Sequence, residues 1–160
     1  MPNETLSVEL SYSWLPFTVD GDHLTFAQHG GSRLDSARCS HWGPAVYKWE
    51  GKLASGPQAG KVGVLIGETG DLRQRIKQYV AGTQERGNRL WRETFLSRGE
   101  ARLFVLDLKG LSVKSGGNAR ELAAAELLQS DNRRLVLEQL LVMEAVSRAG
   151  DSIWIVNARQ

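Results

Sequence analysis

Gly43-Pro44-Ala45-Val46-Tyr47, followed downstream by Val64-Leu65-Ile66-Gly67-Glu68-Thr69-Gly70-Asp71-Leu72-Arg73-Gln74-Arg75-Ile76-Lys77-Gln78-Tyr79, sets the architecture of this chain. Residues 45–49 and 62–66 are β-branched and aromatic runs, the composition that favours a pleated, half-buried surface. Gly51 to Gly60 between them forms a stretch too long and irregular for a two-residue hairpin turn, so an antiparallel pair with a long loop is expected. After Gly67 the period changes. Asp71 can cap a helix with Gln74 at its third position, and Leu72, Ile76, Tyr79 and Val80 recur at helical spacing as its buried stripe. The local order is therefore strand, loop, strand, tight turn, helix.

Working outward, Leu6 to Phe26 alternates polar and apolar residues around Asp20-Gly21-Asp22, a hairpin signal. Residues 28–41 read as a polar linker. The first forty-one residues are thus expected as an appended hairpin and loop, with the main domain at 42–160. Downstream, Gly82 and Thr83 end the first helix, and Leu90, Trp91, Phe95 and Leu96 mark a second. Arg102–Leu108 reads as a third strand, Leu111–Asn118 as a Gly/Ser loop, 119–130 and 132–148 as helices, and 152–156 as a short extended segment. The expected class is α+β, with a small central antiparallel sheet flanked by helices and an N-terminal β-hairpin extension.

A chain of 160 residues suits one domain able to bury a core without disulfides or a structural metal. It has one cysteine, Cys39, no secretory leader pattern in its first residues, and apolar runs too short to span a bilayer, so a cytoplasmic protein without a membrane role is expected. The formal net charge of +2 says little, but its distribution is uneven. Asp71 to Arg98 holds seven basic residues (Arg73, Arg75, Lys77, Arg86, Arg89, Arg92, Arg98) against three acidic ones. Such a segment is either a solvated helix face or a surface for a polyanion, because phosphate contacts supply most non-specific nucleic-acid affinity.

Chemistry-bearing side chains are few. Arg75 and Tyr79 stand four apart on the first helix, Tyr79 within the apolar stripe and Arg75 at its edge. Alone, they read first as a core tyrosine beside a surface cation and only second as a pair turned toward a groove. The Leu135–Val146 helix is apolar nearly all round, and a carboxylate there is costly unless paired or bound to a metal. Glu138 and Glu144 are the two candidates, turned about 120° apart. Cys39-Ser40-His41 with His23 and His29 fits no common zinc spacing. Gly67-Glu68-Thr69-Gly70 lacks the Lys of a phosphate loop, so no nucleotide cofactor is expected.

In order and spacing these residues resemble the GIY-YIG nuclease superfamily. The first motif corresponds to Ala45-Val46-Tyr47, the second to Leu65-Ile66-Gly67, and the helical Arg and His-or-Tyr to Arg75 and Tyr79. Leu65 departs from the pattern, which has a tyrosine there. The resemblance implies a magnesium- or manganese-dependent endonuclease acting on DNA, with Tyr47 activating water and Arg75 and Tyr79 stabilising developing charge. It assigns the metal to Glu144 rather than Glu138, because Glu144 precedes Asn157 much as the superfamily's Glu precedes an Asn. Lys61 and Asn157 are supporting residues, and Arg73, Lys77, Arg86, Arg89 and Arg92 would contact the DNA backbone. The same resemblance admits a non-catalytic nucleic-acid-binding module that has kept the fold and lost turnover.

Overall fold

The computed structural model describes residues 4–25, 34, 38–54, 56–81, 95 and 100–157. The chain is α+β. Its strands are β1 (Leu6–Pro16), β2 (Thr18–Val19), β3 (Asp22–His23), β4 (Ala45–Lys52), β5 (Val62–Thr69), β6 (Arg102–Ser115), β7 (Asn118–Leu122) and β8 (Ile153–Ile155), and its helices are α1 (Leu72–Ala81), α2 (Ala124–Gln129) and α3 (Asp131–Arg148). The main sheet runs β1-β6-β4-β5-β8, with β7 also paired to β6, and β2 and β3 form a separate two-stranded ribbon.

Period-two alternation in β4 splits the core into two layers. Ala45, Tyr47 and Trp49 join Leu65 in a cluster with Leu72, Ile76 and Tyr79 of α1, while Val46 joins Val64 and Ile66 in a second cluster with Leu137 and Leu141 of α3. Both faces of β5 are therefore covered, which is why Val64-Leu65-Ile66 is a continuous apolar run rather than an alternating one. The expected cap of α1 is present: the Gln74 N–H donates to Asp71 Oδ1 at 3.0 Å, and Thr69 Oγ1 accepts the Asp71 N–H at 3.1 Å. The Asp20-Gly21 hairpin also forms, pairing Thr18 with His23 and Val19 with Asp22.

Four expectations are corrected. The sheet is mixed, because β8 pairs in parallel with β5, Val62 to Ile153 through Val64 to Ile155. Residues 6–16 are no hairpin arm: β1 is an outer strand of the main sheet, antiparallel to β6 from Leu6↔Ser115 to Pro16↔Phe104. Leu10, Tyr12 and Trp14 on one side of β1 pack on the α3-side cluster, which supplies the apolar surface an isolated hairpin lacks. Residues 111–118 are not a loop. Leu111 is buried, and β6 runs on to a turn at Gly116 and Gly117, both at positive φ, from which β7 returns. Two consecutive positive φ values are what a tight hairpin needs, so the Gly/Ser composition marked a turn and not a long loop. Residues 119–122 are accordingly strand, and the helix starts only at Ala124.

The expected second helix around residues 90–97 lies outside the described residues apart from Phe95, which is buried in the α1-side cluster. Among the described residues no helix is long and apolar enough to cross a membrane.

Candidate functional site

Tyr47 on β4 and Tyr79 on the last turns of α1 meet with their hydroxyl oxygens 3.0 Å apart. Their rings sit edge to face, centroids 6.1 Å apart at 76°, and the Tyr79 ring meets Trp49 in the same manner at 5.9 Å. Tyr47 is level with Gly67 in the β4–β5 register. A Cβ at Gly67 would stand 2.5 Å from the Tyr47 hydroxyl, so the glycine is what lets the phenol lie across β5. The Arg75 guanidinium is 5.7 Å from the Tyr79 ring centroid and donates to Gln78 Oε1 at 3.1 Å. Three residues named from the sequence, Tyr47, Arg75 and Tyr79, are thus brought together.

Their environment differs from that of a base. Tyr47 is 1% exposed and Tyr79 4%. Burial pushes the Tyr47 hydroxyl well above the ordinary phenol value, the neighbouring Tyr79 pushes in the same direction, Arg75 opposes them, and the Glu138 charge adds a further push upward. That direction runs against the expected role of Tyr47 in taking a proton from water. At neutral pH this phenol keeps its proton, and its chemistry is hydrogen-bond donation.

The carboxylates also exchange places. Glu138 is 6% exposed, on the inner face of α3, and its charge reaches Tyr47. The Glu144 side chain is 32% exposed and held by Arg148 at 2.7 Å, beside Tyr12 of β1. The 120° between the two residues is the physical reason: the turn that buries Glu138 on the inner face of α3 sets Glu144 along the β1 flank. Glu144, the residue expected to hold the metal, thus stands with Tyr12 and Arg148 on the β1 flank.

One turn before Glu138 lies a residue that the sequence reading missed. Arg134 is buried; its Nε donates to Glu68 Oε2 of β5 at 3.2 Å, its Nη1 donates to the Leu128 carbonyl at 2.6 Å, and its Nη2 pairs with Asp131. Glu68 directly follows Gly67, so this network fixes α3 to the end of β5 that carries the phenol pair. An Arg four residues before a Glu in an apolar helix was the available signal.

The supporting residues divide. Asn157 donates Nδ2–H to the Ile66 carbonyl at 2.8 Å and accepts the Ile66 N–H at 3.2 Å, so its amide prolongs the β8 ladder along β5 to the residue before Gly67. Lys61 precedes β5, six residues from Gly67 and ~20 Å away along the strand, and is not part of the cluster. Arg73 is turned inward: it donates to the Leu34 carbonyl at 3.3 Å and lies 5.2 Å from the Trp42 ring centroid, so it ties α1 to the N-terminal segment rather than presenting a cation. Lys77 is half-exposed on α1. Arg86, Arg89 and Arg92 lie outside the described residues. Leu65 is buried on the same face of the sheet as Tyr47 and packs in the α1-side core.

Among the described residues no three His, Cys, Asp or Glu side chains gather into a metal-sized cluster. No family model, no curated protein and no solved structure matches this chain.

Proposed function

We propose that the chain is a divalent-metal-dependent endonuclease of GIY-YIG type, acting on DNA phosphodiester bonds through Tyr47, Arg75, Tyr79 and Glu138. The observation that carries this reading is the 3.0 Å Tyr47–Tyr79 contact, with the Arg75 guanidinium beside the Tyr79 ring. Phenols from a strand and a helix and a guanidinium converge beside a glycine that makes room for them. A single buried carboxylate suits magnesium or manganese, which bind through one or two carboxylates and complete their shells with water and phosphate oxygen. When bound, such an ion would supply Lewis acidity toward a phosphate.

The protein's own groups do the rest. Neutral Tyr47 and Tyr79, hydrogen-bonded to each other, are the hydroxyls offered to a phosphate oxygen. Arg75 balances charge that grows on that oxygen, an interaction stronger in the transition state than in the ground state. Glu138, four residues from Arg134, is positioned by the Arg134–Glu68 pair.

The near-complete burial of both phenols favours a second reading, a nucleic-acid-binding module in which the pair only packs. Nicking of supercoiled plasmid with magnesium or manganese, beside filter retention of the same DNA in EDTA, separates the two. The nuclease reading expects cleavage that Glu138→Gln abolishes, Glu144→Gln retains and Tyr47→Phe reduces at least tenfold. Retention without cleavage gives the second reading, and neither retention nor cleavage overturns both.

A further inference from the structure

Three of the large apolar side chains most open to solvent lie on α3: Val136 at 58%, Met143 at 67% and Val146 at 49% exposure. Val136 and Met143 are seven residues apart, a spacing that keeps both on one outward line of the helix. Beside that line a groove of about 440 Å³ runs between α3 and β1, walled by Leu6, Val8, Val113, Leu122, Val136 and Leu140. A patch of this kind on a helix whose other face is fully used in the core marks a docking surface.

The charges on its flank identify what docks. Arg133 and Glu144 are eleven residues apart, close to three full turns, so they lie along one side of α3. That side faces β1, since Arg133 lines the groove with Leu6 and Val8, and Glu144 lies with Tyr12 and Trp14. A second α3 laid antiparallel across a two-fold axis between Gln139 and Leu140 sets Val136 against Met143 of the other copy. It also brings Arg133, which lies 3.5 Å from Glu126 of its own chain, within side-chain reach of the other copy's Glu144, which is 2.7 Å from its own Arg148, so these solvent-exposed pairs exchange partners across the axis. Both contacts occur twice, as an isologous interface requires. Unbranched Met143 is the side chain suited to filling the irregular groove of the other copy. Eighteen residues give α3 a length of ~27 Å, enough to carry both pairs.

We propose that the outer face of α3 is a homodimer interface, in which two α3 helices pack antiparallel with Met143 of each copy seated in the β1–α3 groove of the other. The test is sedimentation equilibrium of the full chain over a concentration series, with circular dichroism to establish folding. The wild type is expected to show a concentration-dependent dimer. Met143→Asp should weaken it at least tenfold without loss of fold, because the position is solvent-exposed in the single chain. Arg133→Glu alone should weaken the dimer, and Arg133→Glu with Glu144→Arg should bring it back to within a few-fold of wild type. A wild type that stays monomeric at all concentrations overturns the proposal, as does a dimer indifferent to both Met143→Asp and Arg133→Glu. Failure of the double reversal to restore the dimer overturns the antiparallel pairing.

Discussion

On the α1 side of the sheet Tyr47 and Tyr79 are buried neutral phenols hydrogen-bonded to each other, whereas on the α3 side Arg134 and Glu138 are buried charges, and Arg134 draws partners from Glu68 of β5, from the Leu128 carbonyl of α2 and from Asp131 of its own helix. The two solutions have different physics. A hydrogen-bonded phenol pair loses little on burial, because each hydroxyl exchanges water for an equivalent partner. A buried guanidinium is tolerated only while every partner is present, and losing one leaves an uncompensated charge. The α1 side should therefore tolerate substitution better than the α3 side.

The most damaging way to test that contrast is Arg134→Ala, which removes a large buried side chain together with its bonds to Glu68, Asp131 and the Leu128 carbonyl and should cost about 2–5 kcal/mol in urea unfolding. A cost below that of the next substitution would show that the charged network contributes little and would remove the contrast.

Gly67→Ala comes second. The added methyl meets the Tyr47 hydroxyl at 2.5 Å, so the ring must move, with an expected loss of about 1–3 kcal/mol. Combining it with Tyr47→Leu should cost less than the sum of the single changes, since the atom being struck has gone. Strict additivity would mean that the close approach of phenol and strand is not what fixes glycine at this position.

The smallest effect is one of pH. The Tyr47 value is raised above the ordinary 10.0, chiefly by burial, so the folded protein holds this proton where the unfolded chain has released it. The resulting stability is fully present below pH 10 and is lost as pH rises from there toward the folded value, by at most about 1.4 kcal/mol per pH unit. Tyr12 is also raised, by burial and then by Glu144, and adds a slope of the same sign. Tyr47→Phe should flatten the alkaline decline without removing the Tyr12 part, and an unchanged slope in that variant would deny Tyr47 its sealed environment.

The strand–strand–helix unit was legible because each of its signals is local: β-branched runs, an Asp cap, a 3.6-residue stripe. So were Tyr47, Arg75 and Tyr79, whose meeting needs only the β4–β5 register and one helical turn. Glu138 was set aside for Glu144 because spacing to Asn157 gives a distance along the chain and not the direction of a side chain on α3. Arg134 was invisible for a related reason, since its partner Glu68 is 66 residues away. The extent of β6 was misread because Ser112, Lys114 and Ser115 suggest a loop, although Leu111 and Val113 pack from the strand between them. The parallel β8 pairing left no local trace at all. Three residues, Ile-Trp-Ile, fit any partner of either direction.

The sheet's outer strands carry a kinetic consequence. β1 is joined to β6 across roughly a hundred residues of chain, from Leu6↔Ser115 to Pro16↔Phe104, and β8 reaches β5 across about ninety, from Val62↔Ile153 to Val64↔Ile155. Within the main sheet, among the described residues, only β4–β5 and β6–β7 can close as local hairpins, so the loop-closure entropy of both margins falls due after the centre has formed. Refolding should then belong to the slow, millisecond-to-second regime of non-local β topologies, with amide protection gained first in β4 and β5 and last at the two margins.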